Sequence, residues 1–226
     1  MKSHEGRINL SVLGQEFIKF ATDRKVIRFG EFKTKAGRQS PYFFNAGLFH
    51  DGASLIELAQ FYAKAILSAE MPFDMLFGPA YKGIPLVASI AIALAQKGRN
   101  VPFSFNRKEV KDHGEGGSVI GAPLKGRVLI VDDVISAGTS VRESVELIRL
   151  SRAEPCGVAI ALDRMERGSG GLSAVQEVHK NYGLPVISIA TLDDVLSYLQ
   201  GREELVHNLL AVQKYRDMYG VNANAV

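Results

Sequence analysis

Two adjacent acids, Asp132 and Asp133, follow the apolar run Val128-Leu129-Ile130-Val131 and precede Val134-Ile135-Ser136-Ala137-Gly138-Thr139-Ser140. The apolar run reads as a buried strand, and the small hydroxylated residues read as a loop that opens a helix. Loop amides, the Ser136, Thr139 and Ser140 hydroxyls and a helix N-terminus together form a cradle for an anion. Carboxylates repel phosphate, so the acids suit sugar hydroxyls or a metal that bridges to phosphate. Donors for phosphate beside acceptors for a diol describe a site for a ribose phosphate.

Competing readings of this segment are weaker. A strand ending in acids also occurs in nucleotide hydrolases, but these need an upstream G-x-x-x-x-G-K-[ST], which the chain lacks. Phosphoacceptor receiver domains carry paired acids after the first strand, whereas these lie past mid-chain. A capped helix alone requires fewer acids.

Three further segments could join that chemistry. Gly78-Pro79-Ala80-Tyr81-Lys82-Gly83 follows an apolar strand; its amides can face a diphosphate and Lys82 adds positive charge, although a plain strand-to-helix turn would read the same way. Asn106 to Gly117 holds Arg107, Lys108, Lys111 and His113 with glycines at 114, 116 and 117, the composition of a mobile lid or of a solvated surface loop. A lid would exclude water while its cations stabilise a departing anion. Arg164 follows a strand ending at Leu162 and offers a fork suited to a carboxylate; an ion pair with Glu166 or Asp163 is the alternative. Phe43 and Phe44, by type alone, read as core packing.

The elements that must position these residues alternate. Helices are predicted over Leu10–Asp23, Leu55–Leu67, Ile84–Ala95, Ser140–Leu150, Ser173–Tyr182, Leu192–Leu199 and Glu203–Tyr219. Apolar strands are predicted over Phe73–Phe77, Val101–Phe105, Arg127–Val131, Cys156–Leu162 and Pro185–Ile189. Val26 to Phe44, with Gly30, Gly37, Pro41 and scattered aromatics, suits a small antiparallel cap. Short apolar strands between helices imply a parallel sheet covered on both faces, with ligands outside the strands' carboxyl ends.

Composition narrows the class. With 226 residues, 46% hydrophobic and 23% charged, the chain can bury a core without disulfides. Its net charge of +3 does not suggest a nucleic-acid face. The single Cys156 reads as a buried, inert thiol, and the histidines show no ligand spacing. The polar opening carries no secretory signal, and no run reaches the roughly 18 apolar residues of a membrane span, so a cytoplasmic protein is expected.

The segment ending at Ser140 resembles the phosphoribosyl-diphosphate-binding motif of the type I phosphoribosyltransferases. Phe29-Gly30-Glu31-Phe32, Gly37 to Asn45, Gly78 to Gly83, Asn106 to Glu109, Lys111 to Gly116 and Leu162 to Gly168 extend the likeness to the orotate phosphoribosyltransferase family, between residues 10 and 219. The resemblance implies a type I phosphoribosyltransferase fold: a central parallel sheet flanked by helices, with a small N-terminal cap or hood. It implies a single domain over 1–226, the cap formed mainly by 24–50 and the mobile loop by 106–118. The implied reaction is orotate plus phosphoribosyl diphosphate giving orotidine 5'-phosphate and diphosphate, with Mg2+ held mainly by substrate and water. The loop would reach into a neighbouring subunit's site, making a homodimer.

Carried over residue by residue, the resemblance gives Lys111, Asp132, Asp133 and Lys82 as catalytic. Lys35, Tyr81, Lys82, Arg107, Lys108, Lys111, His113 and Asp132 to Ser140 (Asp132, Asp133, Val134, Ile135, Ser136, Ala137, Gly138, Thr139, Ser140) would bind phosphoribosyl diphosphate. Lys35, Phe43, Phe44, Ser136 and Arg164 would bind orotate. At Ser136 many relatives carry threonine, and serine keeps the hydroxyl. A cis peptide is implied at Ala80–Tyr81. A transferase for another nucleobase is the nearest alternative, disfavoured by Arg164, which a neutral purine would leave unused. A ligand sensor acting on nucleic acid is another, disfavoured by the retained Lys111 and glycines.

Overall fold

A computed structural model describes residues 10–34, 37–108, 118–136 and 138–221. Helix α1 (Leu10–Asp23) leads into a hairpin of β1 (Ile27–Lys33) and β2 (Gln39–Phe44), followed by α2 (Gly52–Ser68). Then come β3 (Met75–Gly78), α3 (Gly83–Gln96), β4 (Phe103–Asn106), β5 (Val119–Gly121), β6 (Arg127–Val131) and α4 (Thr139–Leu150). The chain continues through β7 (Glu154–Asp163), α5 (Ala174–Tyr182), β8 (Val186–Thr191), α6 (Leu192–Leu199) and α7 (Val206–Tyr219).

The six-stranded sheet has the order β5-β4-β3-β6-β7-β8. All its pairings are parallel except the antiparallel β4–β5 edge. This corrects the sequence reading in one respect: Val119–Gly121 carried no predicted strand, and the sheet is mostly rather than wholly parallel. The misses at other strands and helices are a few residues at the ends. Two starts differ by three residues: α7 begins at Val206 rather than Glu203, after a 3-10 turn, and α2 begins at Gly52 rather than Leu55 because Asp51 caps it, its carboxylate accepting from Ser54 N while the Ser54 hydroxyl reciprocates.

Alternate residues of the central strands face opposite helix layers, the period of two that a doubly covered sheet requires. Leu76, Leu129, Val131, Ala159 and Ala161 join the core beneath α1, α2, α3 and α6. Phe77, Val128, Ile130, Val158 and Ile160 join the core beneath α4 and α5. Ile130 is fully buried, a contribution of about 1.5–3 kcal/mol.

The order of the strands places the site. Successive crossovers run outward from β3 in one direction and from β6 in the other, so a crevice opens between their carboxyl ends. The β1–β2 hairpin is a separate two-stranded sheet. Its buried residues Ser40, Tyr42 and Phe44 alternate with more exposed ones, and Tyr42 meets Tyr215 of α7 edge-on, with ring centroids 6.4 Å apart.

Candidate active site

At the crevice, β6 ends in Asp132 and Asp133, which are 8% and 6% exposed. Asp132 Oδ1 accepts from Asp133 N at 2.9 Å, and Oδ2 accepts from the Ser140 hydroxyl at 2.9 Å. Burial, reinforced by the neighbouring Asp133 charge, pushes Asp132 up to about 6. The main chain is held as firmly: the fully buried Tyr62 of α2 donates its hydroxyl to the Asp132 carbonyl at 2.7 Å. Asp132 N and Asp133 O bond Ala159 O and Ala161 N of β7 at 3.0 and 2.9 Å.

Beyond the acids the chain turns through Val134, Ile135 and Ser136 to Gly138, which stands at φ 69° as the N-cap of α4 with no side-chain cap. A left-handed glycine there leaves the first amides of α4 available to an anion. A cavity of about 280 Å³ lies against them, lined by Pro79, Ala80, Asn106, Ser136, Thr139 and Ser140 among others. Ser136 and Thr139 are exposed, Val134 packs on one core and Ile135 on the other. Of the segment 132–140, only Ala137 lies outside the described residues.

The facing wall is the loop after β3. The Ala80–Tyr81 peptide is cis, as the resemblance implied. Gly78 and Gly83 meet so closely that a Cβ on Gly78 would lie 2.2 Å from Gly83 O. Asn106 at the end of β4 accepts from Ala80 N through Oδ1 at 2.7 Å. Lys82 reaches across the crevice, its Nζ 2.6 Å from Asp133 Oδ2. Tyr81 is 58% exposed, with the Lys108 ammonium 5.4 Å from its ring centroid. Among the described residues the buried Arg107 Nε has no hydrogen-bond partner.

Arg164 sits one residue beyond β7, the strand that pairs with β6. The Asp163 carboxylate accepts from Met165 N at 2.8 Å, and Met165 takes φ 51°, closing the turn that carries the arginine. The guanidinium lies over the Tyr42 ring and pairs with Glu166 at 2.6 Å, so the ion pair raised as an alternative is present. Phe44 is buried in the core, whereas Phe43 stacks on Phe32, centroids 5.4 Å apart, under Arg28. Lys35, Lys111 and His113 lie outside the described residues, as do 109–117 of the expected lid.

Sequence reasoning missed Tyr62, Asn106 and the closeness of Gly78 to Gly83. Tyr62 carried no signal beyond an aromatic on a helix. Asn106 opened the polar segment, and its carbonyl oxygen gave no hint of a distant amide.

A mostly parallel sheet with an acid-ended strand, an uncapped helix N-terminus and a cationic loop facing it defines a phosphoribosyl transferase domain, and residues 47–197 match the family of that description. The orotate phosphoribosyltransferase of Laribacter hongkongensis is 66% identical over 212 residues, covering 94% of this chain and 100% of that protein. That of Nitrosospira multiformis is 69% identical over 210 residues, covering 93% and 92%. The crystal structure of the Francisella tularensis orotate phosphoribosyltransferase superposes with a TM-score of 0.82 at 38% identity, covering 91% of this chain and 100% of that one. The chain belongs to the orotate phosphoribosyltransferase family. Among the described residues no helix is long and apolar enough to cross a membrane.

Proposed function

We propose that this protein transfers ribose 5-phosphate from phosphoribosyl diphosphate to orotate, giving orotidine 5'-phosphate and diphosphate for pyrimidine nucleotide synthesis. The observation that carries this reading is the arrangement at one sheet edge. An acid pair and an uncapped helix N-terminus follow β6, and a half-buried arginine follows the paired strand β7. The first two suit a ribose phosphate, and the third suits the acceptor's carboxylate.

In the reaction the bond from ribose C1 to diphosphate breaks as the orotate ring nitrogen bonds to C1, through a dissociative, oxocarbenium-like transition state, and the proton of that nitrogen passes to the released diphosphate. Asp132 and Asp133 accept the ribose hydroxyls, and their charge favours the cationic sugar. The Ser136–Ser140 loop and the α4 N-terminus hold the 5-phosphate. Lys82, Tyr81, Arg107, Lys108, Lys111 and His113 hold the diphosphate. Lys35, Phe43, Phe44 and Ser136 line the acceptor site, with Arg164 on its carboxylate.

Mg2+ fits this donor set as an ion carried largely by the substrate. Asp132 and Asp133 offer hard oxygens through ribose or water, and no cluster of three or more His, Cys, Asp or Glu stands ready for a metal among the described residues. When bound, the ion neutralises the departing diphosphate. The chain acts as one cytoplasmic domain, with residues 24–50 as hood and 106–118 as lid, in a homodimer whose lids serve neighbouring sites.

The test is orotate consumption with phosphoribosyl diphosphate and Mg2+, with orotidine 5'-phosphate and diphosphate identified as products. Wild type turns over, and Lys111→Ala loses about 100-fold or more in kcat with its fold intact. Turnover of a purine base in place of orotate would keep the fold and overturn the acceptor. Equal activity of Lys111→Ala would overturn the lid.

A further inference from the structure

Arg164 does not present a free fork. Its Nε and Nη2 both donate to Glu166 Oε1, at 2.9 and 2.6 Å, and Nη2 also donates to the Ser40 hydroxyl at 3.2 Å. The guanidinium stands 4.6 Å from the centroid of the buried Tyr42 ring. The two charged side chains are only 22% and 18% exposed. A long side chain gripped on one edge by a carboxylate and on one face by a ring has lost most of its rotamer freedom before any ligand arrives.

Glu166 is itself anchored, and by a part of the chain to which the reaction assigns nothing. It pairs with Gly220 in an isolated antiparallel bridge. On either side, Val221 N donates to Met165 O at 2.9 Å and Arg167 N to Tyr219 O at 2.8 Å. The Arg167 guanidinium also bonds the Met218 carbonyl. From the hairpin, Arg38 lies over the Tyr219 ring at 4.8 Å and donates to Arg167 O at 2.7 Å. The segment after α7 therefore fixes the backbone of Glu166, and Glu166 fixes the head of Arg164.

An acceptor carboxylate binds a guanidinium best when the planes match, and its affinity falls by the cost of ordering a loose side chain. We propose that Glu166, anchored by residues 219–221, is the positioning residue that presets Arg164 for the acceptor's carboxylate and so sets acceptor affinity. This rests on the reading of Arg164 as the acceptor's ligand. Glu166 acts on the acceptor through Arg164, and its effect belongs to one substrate.

Glu166→Gln keeps the shape and an accepting oxygen but removes the charge; Glu166→Asp keeps the charge one methylene further back. For both, kcat, the KM of orotate, the KM of phosphoribosyl diphosphate and the melting temperature are measured. Glu166→Gln raises the KM of orotate about tenfold, as outer partners of binding groups commonly do, and leaves that of phosphoribosyl diphosphate within about twofold. Glu166→Asp falls between Gln and wild type. An orotate KM that stays or drops in Glu166→Gln would overturn the proposal, the drop identifying Glu166 as a competitor for the arginine. Parallel loss for both substrates together with a lowered melting temperature would overturn it as well, leaving a merely structural role. Failure of wild type to use orotate at all would sink the acceptor reading first, a result separate from any Glu166 comparison.

Discussion

Lys82 Nζ lies 2.6 Å from Asp133 Oδ2, an ion pair that spans the crevice between β3 and β6. The lysine side chain is 58% exposed and the aspartate 8%, so one partner belongs to the open site and the other to the protein interior. The pair ties the loop that faces diphosphate to the acids that face ribose. Lys82→Met is expected to lower kcat/KM for phosphoribosyl diphosphate about 100-fold, because a charge that stabilises the leaving group is lost. Stability should fall by about 1 kcal/mol, since Asp133 is left buried without its partner while water still reaches the lysine's side. Initial rates and urea denaturation check the two effects separately.

Asp132 gives a pH-dependent expectation. Its folded value, about 6, is raised above the ordinary 3.8, so the folded state keeps this proton to higher pH than the unfolded chain does. The charge therefore costs stability above about pH 6 and costs nothing below about pH 4. Asp132→Asn, which mimics the protonated form, should stabilise the fold by about 2 kcal/mol at pH 7. The gain should vanish near pH 4, and activity should be largely lost at both. Melting curves at the two pH values decide it; a constant difference would show that Asp132 titrates normally.

Tyr62→Phe removes one oxygen from a fully buried contact and leaves the Asp132 carbonyl without that donor. A loss of about 1–2 kcal/mol is expected in chemical denaturation, with little change in substrate KM. A neutral substitution would show that β7 alone holds the end of β6.

Gly78→Ala should be worse than a usual surface change. The new Cβ would lie 2.2 Å from Gly83 O and 2.8 Å from Val87 Cβ, so backbone must move at the crevice wall. About 2–3 kcal/mol of destabilisation and a large loss of kcat are expected. Gly138→Ala meets nothing within 4 Å, but it must take φ 69°, so its cost is conformational and about 1 kcal/mol.

The legible parts of this protein were those with a local signal. Arg127–Val131 and Leu192–Leu199 matched in full because four or five apolar residues, or a helical period bounded by a cap, leave little choice. The acids and hydroxyls of 132–140 announced themselves by type and spacing. Val119–Gly121 gave no such signal: three residues after a glycine-rich stretch become a strand only because the edge of β4 is there to pair with. Tyr62, Asn106 and Glu166 act through partners 70, 26 and two positions away. Of these only Glu166, the near neighbour, could be named beforehand as a partner of Arg164. Contacts made by the fold itself have no period and no motif in the chain.

The most direct test of the central claim is the ratio of kcat/KM for orotate to that for uracil, which lacks the carboxylate, at fixed phosphoribosyl diphosphate and Mg2+. With a half-buried arginine committed to that carboxylate, the ratio should be about 10³ or more in wild type and should shrink toward unity in Arg164→Ala. A ratio near unity in wild type, or one unmoved by Arg164→Ala, would contradict the account.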